Sequence, residues 1–563
     1  MVLGVGLVAG CASVPGSSSV DVLQRVTEGS GPQVPPGPEE NASPVDLVQG
    51  FINSSAIGEN QHAAARRFLT PDSQNWDDAS SLTVLDNQLG LPSSAMPSSD
   101  SDHATVRLHG LQLGRLNPDG SFTPDETSVD LPYQVVKVNG QWRVDNPAPG
   151  AVVRFEDFRA NYRSIQVYFT DPMRREPVAD RRYVAANPRE TLPSRVMARL
   201  LQGPSMALAG AAFNALPRTA RLRSNVVPGP NGSVTVDLTE LGDLDDARRK
   251  LIAEQVLLSM AAVNVVRVTL LDDGAPLIVG HQDLTQDSIN TLDIDSPPSS
   301  DVPGLVVLGG RLHTMTTSEV GAPLGGPAGS GGYDLVAATM SPDGQRIAAV
   351  NRQAGRQLLI GSVGGALGPT SVRAAALTQP TWTADASEVW TVRDHTLVTR
   401  AILDQSGRVT VQAVDASGLA SRGPINDLRL SRDGSRLAAV IGGQLVIGTV
   451  QRPAAGVVTI GGLRVLRPVD LTELNTVAWL SDDLLAVAGR KAAVVVGEVS
   501  VDGLDLFKLP WANLTPPVTS IAAAPDRPLL VTDQTGLWSH GMDEVGSWQR
   551  IGAGSATVAG YPG

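Results

Sequence analysis

The groups from which chemistry could be built in this 563-residue chain are few: one cysteine, seven histidines, and 57 carboxylates set against 44 Lys and Arg. The lone thiol, Cys11, excludes an intrachain disulfide and any cysteine-rich metal centre. His62, His103, His109, His281, His313, His395 and His540 are scattered. None forms an i,i+4 pair that would place two imidazoles on one helix face, so no metal site is expected. No Ser/His/Asp, Cys/His or paired-carboxylate set stands at a useful spacing, so no catalytic residue and no cofactor is assigned. Gly325-Gly-Pro-Ala-Gly-Ser-Gly-Gly332 lacks the Lys-Ser/Thr of a phosphate-binding loop and is expected to be a flexible connector. Arg174-Arg175 and Arg181-Arg182 read as solvated basic spots, with contact to a partner or an anionic lipid as the sharper alternative.

The carboxylates that recur lie in turns. Asp343, Asp385, Asp433, Asp483 and Asp526 are separated by 42, 48, 50 and 43 residues. Each sits between two apolar runs, as Leu335-Val-Ala-Ala-Thr-Met340 precedes and Arg346-Ile-Ala-Ala-Val350 follows Asp343. A strand, a Pro-Asp-Gly-like turn and a second strand at this period predict a β-propeller blade. The aspartates are expected to bond the backbone N–H groups of their turns, not to catalyse. Leu305-Val-Val-Leu-Gly-Gly-Arg-Leu-His-Thr314 has the pattern of the second and third strands of a blade, and Ser555-Ala-Thr-Val-Ala-Gly560 that of a first. Joined, they give a sixth blade built from both ends of the unit 302–563, which removes the exposed sheet edges. Six blades are expected; five or seven are also compatible with the spacing.

Two α+β units precede this ring. In 42–150, Ser43 caps a helix that Pro44 begins, with Val48, Phe51, Ile52 and Ser55 along one face. A second helix is expected over 61–69, ending before Pro71. Ala104, Val106 and Leu108 alternate on a strand that carries His103 and His109 on its surface. Asn139-Gly140 joins two further strands as a hairpin. Helices first and an antiparallel sheet after them resemble the cone of the nuclear-transport-factor-like fold. In 160–294, strands are expected at Ile165, Val167 and Phe169, over 234–238 and over 266–270, with helices over 191–202 and 245–263. Arg163-Ser-Ile-Gln-Val-Tyr-Phe-Thr-Asp171, Ala198-Arg-Leu-Leu-Gln-Gly-Pro204, Val234-Thr-Val-Asp-Leu238 and Val265-Val-Arg-Val-Thr269 resemble the GerMN (sporulation and germination) domain. That resemblance implies binding and scaffolding in the cell envelope.

Cys11 closes the apolar run Val2-Leu-Gly-Val-Gly-Leu-Val-Ala-Gly10, too short to span a bilayer, which takes about 20 residues. Val8-Ala9-Gly10-Cys11 resembles the lipobox of bacterial lipoproteins. On that reading, residues 1–10 are a signal peptide, and Cys11 carries an S-diacylglycerol and an N-acyl chain such as palmitate. No Lys or Arg precedes the run, which leaves open whether the true start lies upstream of Met1. Residues 11–41 hold Pro32-Gln-Val-Pro-Pro-Gly-Pro38 and too little apolar surface to pack, as expected of a membrane tether.

The net charge of −13 gives counterion-release binding to nucleic acid no basis, and 57 Gly and 40 Pro with 4% aromatics favour turn-rich β architecture. Lipobox, tether, cone, GerMN-like domain and propeller, in that order, resemble the LpqB lipoproteins of actinobacteria. The resemblance implies a non-enzymatic, extracytoplasmic accessory protein, held in the cell membrane by its lipid. Its implied partner is the extracellular sensor region of a histidine kinase, MtrB, of the MtrA–MtrB two-component system. Only Cys11 carries over as a site residue. The alternatives are an envelope ligand or glycan receptor using the cone, and a propeller hydrolase or lyase acting on glycans.

Overall fold

The computed structural model describes residues 37–58, 61–91, 101–173, 176–226, 228–285, 287, 302–316, 319–352, 355–453, 456–490, 494–541, 547–553 and 556–563. Cys11, the signal segment, most of the tether, Arg174 and Arg175 lie outside the described residues.

In the first domain the Ser43 hydroxyl accepts from the Asp46 N–H, and the helix Pro44–Ser55 buries Leu47, Val48, Phe51, Ile52 and Ser55. The second helix is a single turn, Ala63–Arg66. It is shorter than the expected 61–69 because Phe68 and Leu69 donate to residues three back, Ala65 and Arg66, winding the end into a tighter turn. The sheet runs in the order Gln141–Asp145, Phe122–Val138, His103–Leu116, Leu82–Leu85, Ala151–Arg154. Its last pair is parallel, so the sheet is mixed and not wholly antiparallel: after Asp145 the chain re-crosses the sheet before adding its final strand. Asn139 and Gly140 take φ of 52° and 80°, as a two-residue hairpin turn requires.

The second domain packs the helices Leu192–Gln202 and Asp246–Ala261 on strands Ser233–Thr239 and Arg267–Asp272, with Val167, Val196, Leu200, Val236, Ile252 and Val256 in one core. Gly203 ends the first helix at φ 86°, and Asp245 caps the second by accepting from the Arg248 N–H. The third strand begins at Arg267, one residue later than expected, because Val266 is exposed at the turn. A further strand, Pro177–Ala185, which the apolar alternation does not predict, pairs antiparallel with Tyr162–Thr170.

The remainder forms six four-stranded antiparallel sheets, 335–374, 381–413, 425–466, 474–508, 520–553, and a sixth that joins Gly304–Leu308, Arg311–Met315 and Val320–Pro323 to Ala556–Gly560. They are numbered as blades one to six in that order. Six apolar clusters lie one in each gap between neighbouring blades, including those flanking the joined sixth blade, so the ring is closed. Gly325–Gly332 is not a loose connector. Pro327–Ser330 form a helical turn with Ala328 and Gly329 buried, and a Cβ on Gly329 would lie 1.8 Å from the Leu324 carbonyl oxygen.

Candidate functional site

The turn aspartates shape their turns. Asp343 accepts from the Gln345 N–H, Asp385 from the Ser387 N–H and Asp433 from the Ser435 N–H, and each also takes the hydroxyl proton of the residue two before it. Asp526 sits at φ 52°. Asp483 departs from the set: besides accepting from the Ser481 hydroxyl, it faces Arg181 of the second domain.

Arg181 and Arg182 are therefore not solvated spots, and the strand Pro177–Ala185 explains why. Its alternation sends Arg181 and Tyr183 toward the propeller and Asp180 and Arg182 the other way. Arg181 Nη1 lies 2.6 Å from Asp483 and Nη2 2.6 Å from Asp505, while Nε donates to the Tyr183 hydroxyl at 3.0 Å and stands 3.4 Å from Asp502. Tyr183 in turn donates to Asp502 at 2.9 Å. On the paired strand, Gln166 and Tyr168 donate to Asp482 at 3.0 and 3.3 Å. All four aspartates belong to two turns of blade four.

Burial alone would weaken the Arg181 cation; Asp502 and its neighbours outweigh that and hold it firmly protonated. Asp505 is pushed above the usual carboxylate range, by burial first, with Asp502 and Asp483 adding repulsion that Arg181 and Arg159 only partly offset. Arg182 is fully buried; it donates to the carbonyls of Asp119 and Gly203 and pairs with Asp180 at 2.8 Å.

The first domain joins the same face. Leu504 of blade four and Tyr183 of the second domain both enter its core. Arg159 pairs with Asp505 at 3.0 Å, and the buried Glu126 meets Arg467 at 3.1 Å and accepts from the Val469 N–H. The three domains thus meet at one junction, whose strongest bonds are charge-assisted.

Three other places hold titratable groups. A cleft of about 270 Å³ between the second domain and blades two and three is lined by Asp171 and Glu176 of the former and Asp385 and Asp433 of the latter. The buried Glu388, which also lines it, is held by Arg400, Arg452 and the indole N–H of Trp390. Burial pushes Glu176 up to about 7, with Asp171, Asp385 and Asp433 adding. The innermost strands of all six blades surround a channel whose free volume is about 70 Å³. Arg429 crosses it, bonding to Gln379, the Pro380 and Val477 carbonyls and Asp427. In the first domain, His62 Nδ1 contacts Asp78 at 2.7 Å and Arg66 shares that carboxylate, while His103 and His109 lie exposed on their strand. Among the described residues no three His, Cys, Asp or Glu side chains converge on a metal position.

Fold and junction together define a three-domain β-propeller protein whose two α+β domains are docked on the ring, chiefly at blade four, by buried charge. The family model for the lipoprotein LpqB N-terminal domain matches residues 37–159, that for sporulation and spore germination 166–278, and that for the lipoprotein LpqB β-propeller domain 310–559. Lipoprotein LpqB of Nocardia farcinica is 30% identical, covering 97% of this chain and 94% of its own. Lipoprotein LpqB of Mycobacterium tuberculosis is 31% identical, covering 92% of this chain and 90% of its own. Among solved structures, the Cps50 (Swd1) β-propeller of Myceliophteria thermophila is 13% identical over 39% of this chain and 70% of that one, with a TM-score of 0.27. The chain belongs to the LpqB lipoprotein family.

Proposed function

We propose that the protein is a lipid-anchored, non-enzymatic accessory protein on the outer face of the cytoplasmic membrane. It binds the extracellular sensor region of an MtrB-like histidine kinase and modulates MtrA–MtrB signalling. Family membership supports the lipoprotein and envelope assignment, with Cys11 as the acylated residue. No described helix is long and apolar enough to cross a membrane.

The observation that carries the reading is the junction at Arg181. Domains joined by polar surface ordinarily move independently. Here Arg181, Tyr183 and Glu126 seat both front domains on the ring, so a partner gripping any one of them meets a single body. A rigid body that binds one conformation of a kinase better than another shifts its population.

The test is cross-linking in native membranes with identification of the captured proteins. Capture of the kinase by the wild type, reduced by Cys11→Ser together with loss from the membrane fraction, is the expected result. Failure to capture any sensor kinase, where other lipoproteins capture their partners, overturns the proposal.

A further inference from the structure

The carboxylates that meet at the junction are not held alike. Asp483, Asp502 and Asp505 of blade four converge on one buried guanidinium, Arg181 of the second domain, at 2.6, 3.4 and 2.6 Å. The first domain adds Arg159, 3.0 Å from Asp505 and half-exposed, so water screens its charge. Tyr183 brings no charge, because burial first and Asp502 next keep its phenol protonated. Arg464 of blade three acts on Asp502, and Asp482 faces the Gln166 amide and the Tyr168 hydroxyl.

Asp502 accepts from the Tyr183 and Ser500 hydroxyls and the Leu504 N–H, and Asp483 from the Ser481 hydroxyl. Neutral donors such as these favour a carboxylate over its acid. Asp505 has none: among the described residues its carboxylate accepts only from Arg181 and Arg159. Burial, with Asp502 and Asp483 adding repulsion, outweighs those two cations and raises its affinity for a proton above that of an ordinary aspartate. Arg181 and Arg159, which contact it, belong to the other two domains, so undocking returns Asp505 to water and to the ordinary value of 3.8.

We propose that Asp505 is a proton-operated latch: docking of the front domains and protonation of this one carboxyl favour each other, so the junction tightens as the medium becomes acidic. A group that holds its proton more strongly in the docked state stabilises that state in full below 3.8, and less and less as pH rises through its raised value. The neutral acid ends the crowding with Asp483 and Asp502 and leaves Arg181 to those two carboxylates. The latch concerns how the domains are seated, whatever partner they bind.

Amide hydrogen exchange on the whole folded chain tests this. Protection is corrected for the intrinsic pH dependence of exchange, taken relative to the inner strand Leu335–Met340 of blade one, and followed from about pH 7 down to about 4.5. In the wild type it should rise in Pro177–Ala185 and in 501–505, by at most about tenfold per pH unit, the limit for one proton. Asp505→Asn, a permanent mimic of the neutral acid, should be at least as protected as the wild type at neutral pH and should lose the rise. Wild-type protection that stays flat or falls on acidification overturns the latch, and so does an equal rise in Asp505→Asn. Should Asp505→Asn fail to fold, Arg159→Gln decides: with one cation fewer the rise must begin at a higher pH, and an unchanged onset overturns the proposal.

Discussion

Replacing Arg181 with methionine keeps the length of the side chain and removes its charge, and the structure says what that should cost. The guanidinium is 11% exposed and is shared by Asp483, Asp505 and Asp502. Taking the cation away leaves three carboxylates facing one another at a closed interface. Breaking a buried pair from one side costs about 3–5 kcal/mol, and each 1.4 kcal/mol is tenfold. The docking equilibrium should therefore shift by roughly two to three and a half orders of magnitude.

Amide hydrogen exchange reads this locally. In Arg181→Met, exchange should accelerate by at least 100-fold, roughly the lower end of that range, in Pro177–Ala185 and in the blade-four turn 501–505. The buried Trp390 and its blade should keep their protection. Adding Asp483→Asn and Asp505→Asn should return much of the loss, because the penalty belongs to the stranded acids more than to the missing bonds. Unchanged exchange at both segments in Arg181→Met would refute the junction as the element that holds the domains together. Equal behaviour of Arg181→Met and Arg181→Lys would refute its ionic character.

Glu176 is pushed up to about 7 in the folded state, so the fold binds a proton that the unfolded chain releases above its ordinary 4.5. Stability should then fall as pH rises from about 4.5 to about 7, and Glu176→Gln should remove that slope in denaturant titrations across this window. Glu388 behaves oppositely: despite burial, Arg452, Trp390 and Arg400 hold it below its usual value. Its contribution is present above 4.5 and lost as pH drops through its lowered value, and Glu388→Gln should destabilise the ring by about 3–5 kcal/mol by chemical unfolding. A chain ending before Ala556 lacks the strand paired with Gly304–Leu308, so its propeller should melt at lower temperature and aggregate through the opened edge.

The ring was legible because its signal repeats. A turn aspartate with flanking strands recurs five times, and the two unmatched remnants at either end could only pair with each other, as Gly304–Leu308 and Ala556–Gly560 do. Ser43-Pro44 and Asn139-Gly140 were equally plain, because capping and tight-turn geometry are written in adjacent residues. The junction was not legible, because its charges come from distant positions. Arg181 meets Asp483 across 302 residues and Arg159 meets Asp505 across 346. One local signal did exist. Asp180-Arg181-Arg182 stands between Val178-Ala179 and Tyr183-Val184, and charge inside a strand-forming run is a mark of buried pairing that a solvated face would not need.

Charge at this junction sets orientation more than strength. A well-packed apolar patch of the same size would hold the front domains at least as firmly, since buried ion pairs roughly break even against hydrophobic replacements. What an apolar patch lacks is an angle. Arg181 presents a planar fork to two carboxylates on different turns of one blade, and Nη1 and Nη2 cannot both reach 2.6 Å unless the strand Pro177–Ala185 lies in one direction across that blade. Tyr183 and Gln166, displaced along the paired strands, fix the remaining rotation through Asp502 and Asp482. The arrangement therefore stores its information in geometry. Substitutions that preserve charge but lose the fork, above all Arg181→Lys, should leave the domains attached yet misaligned, with a larger loss in partner capture than in melting temperature.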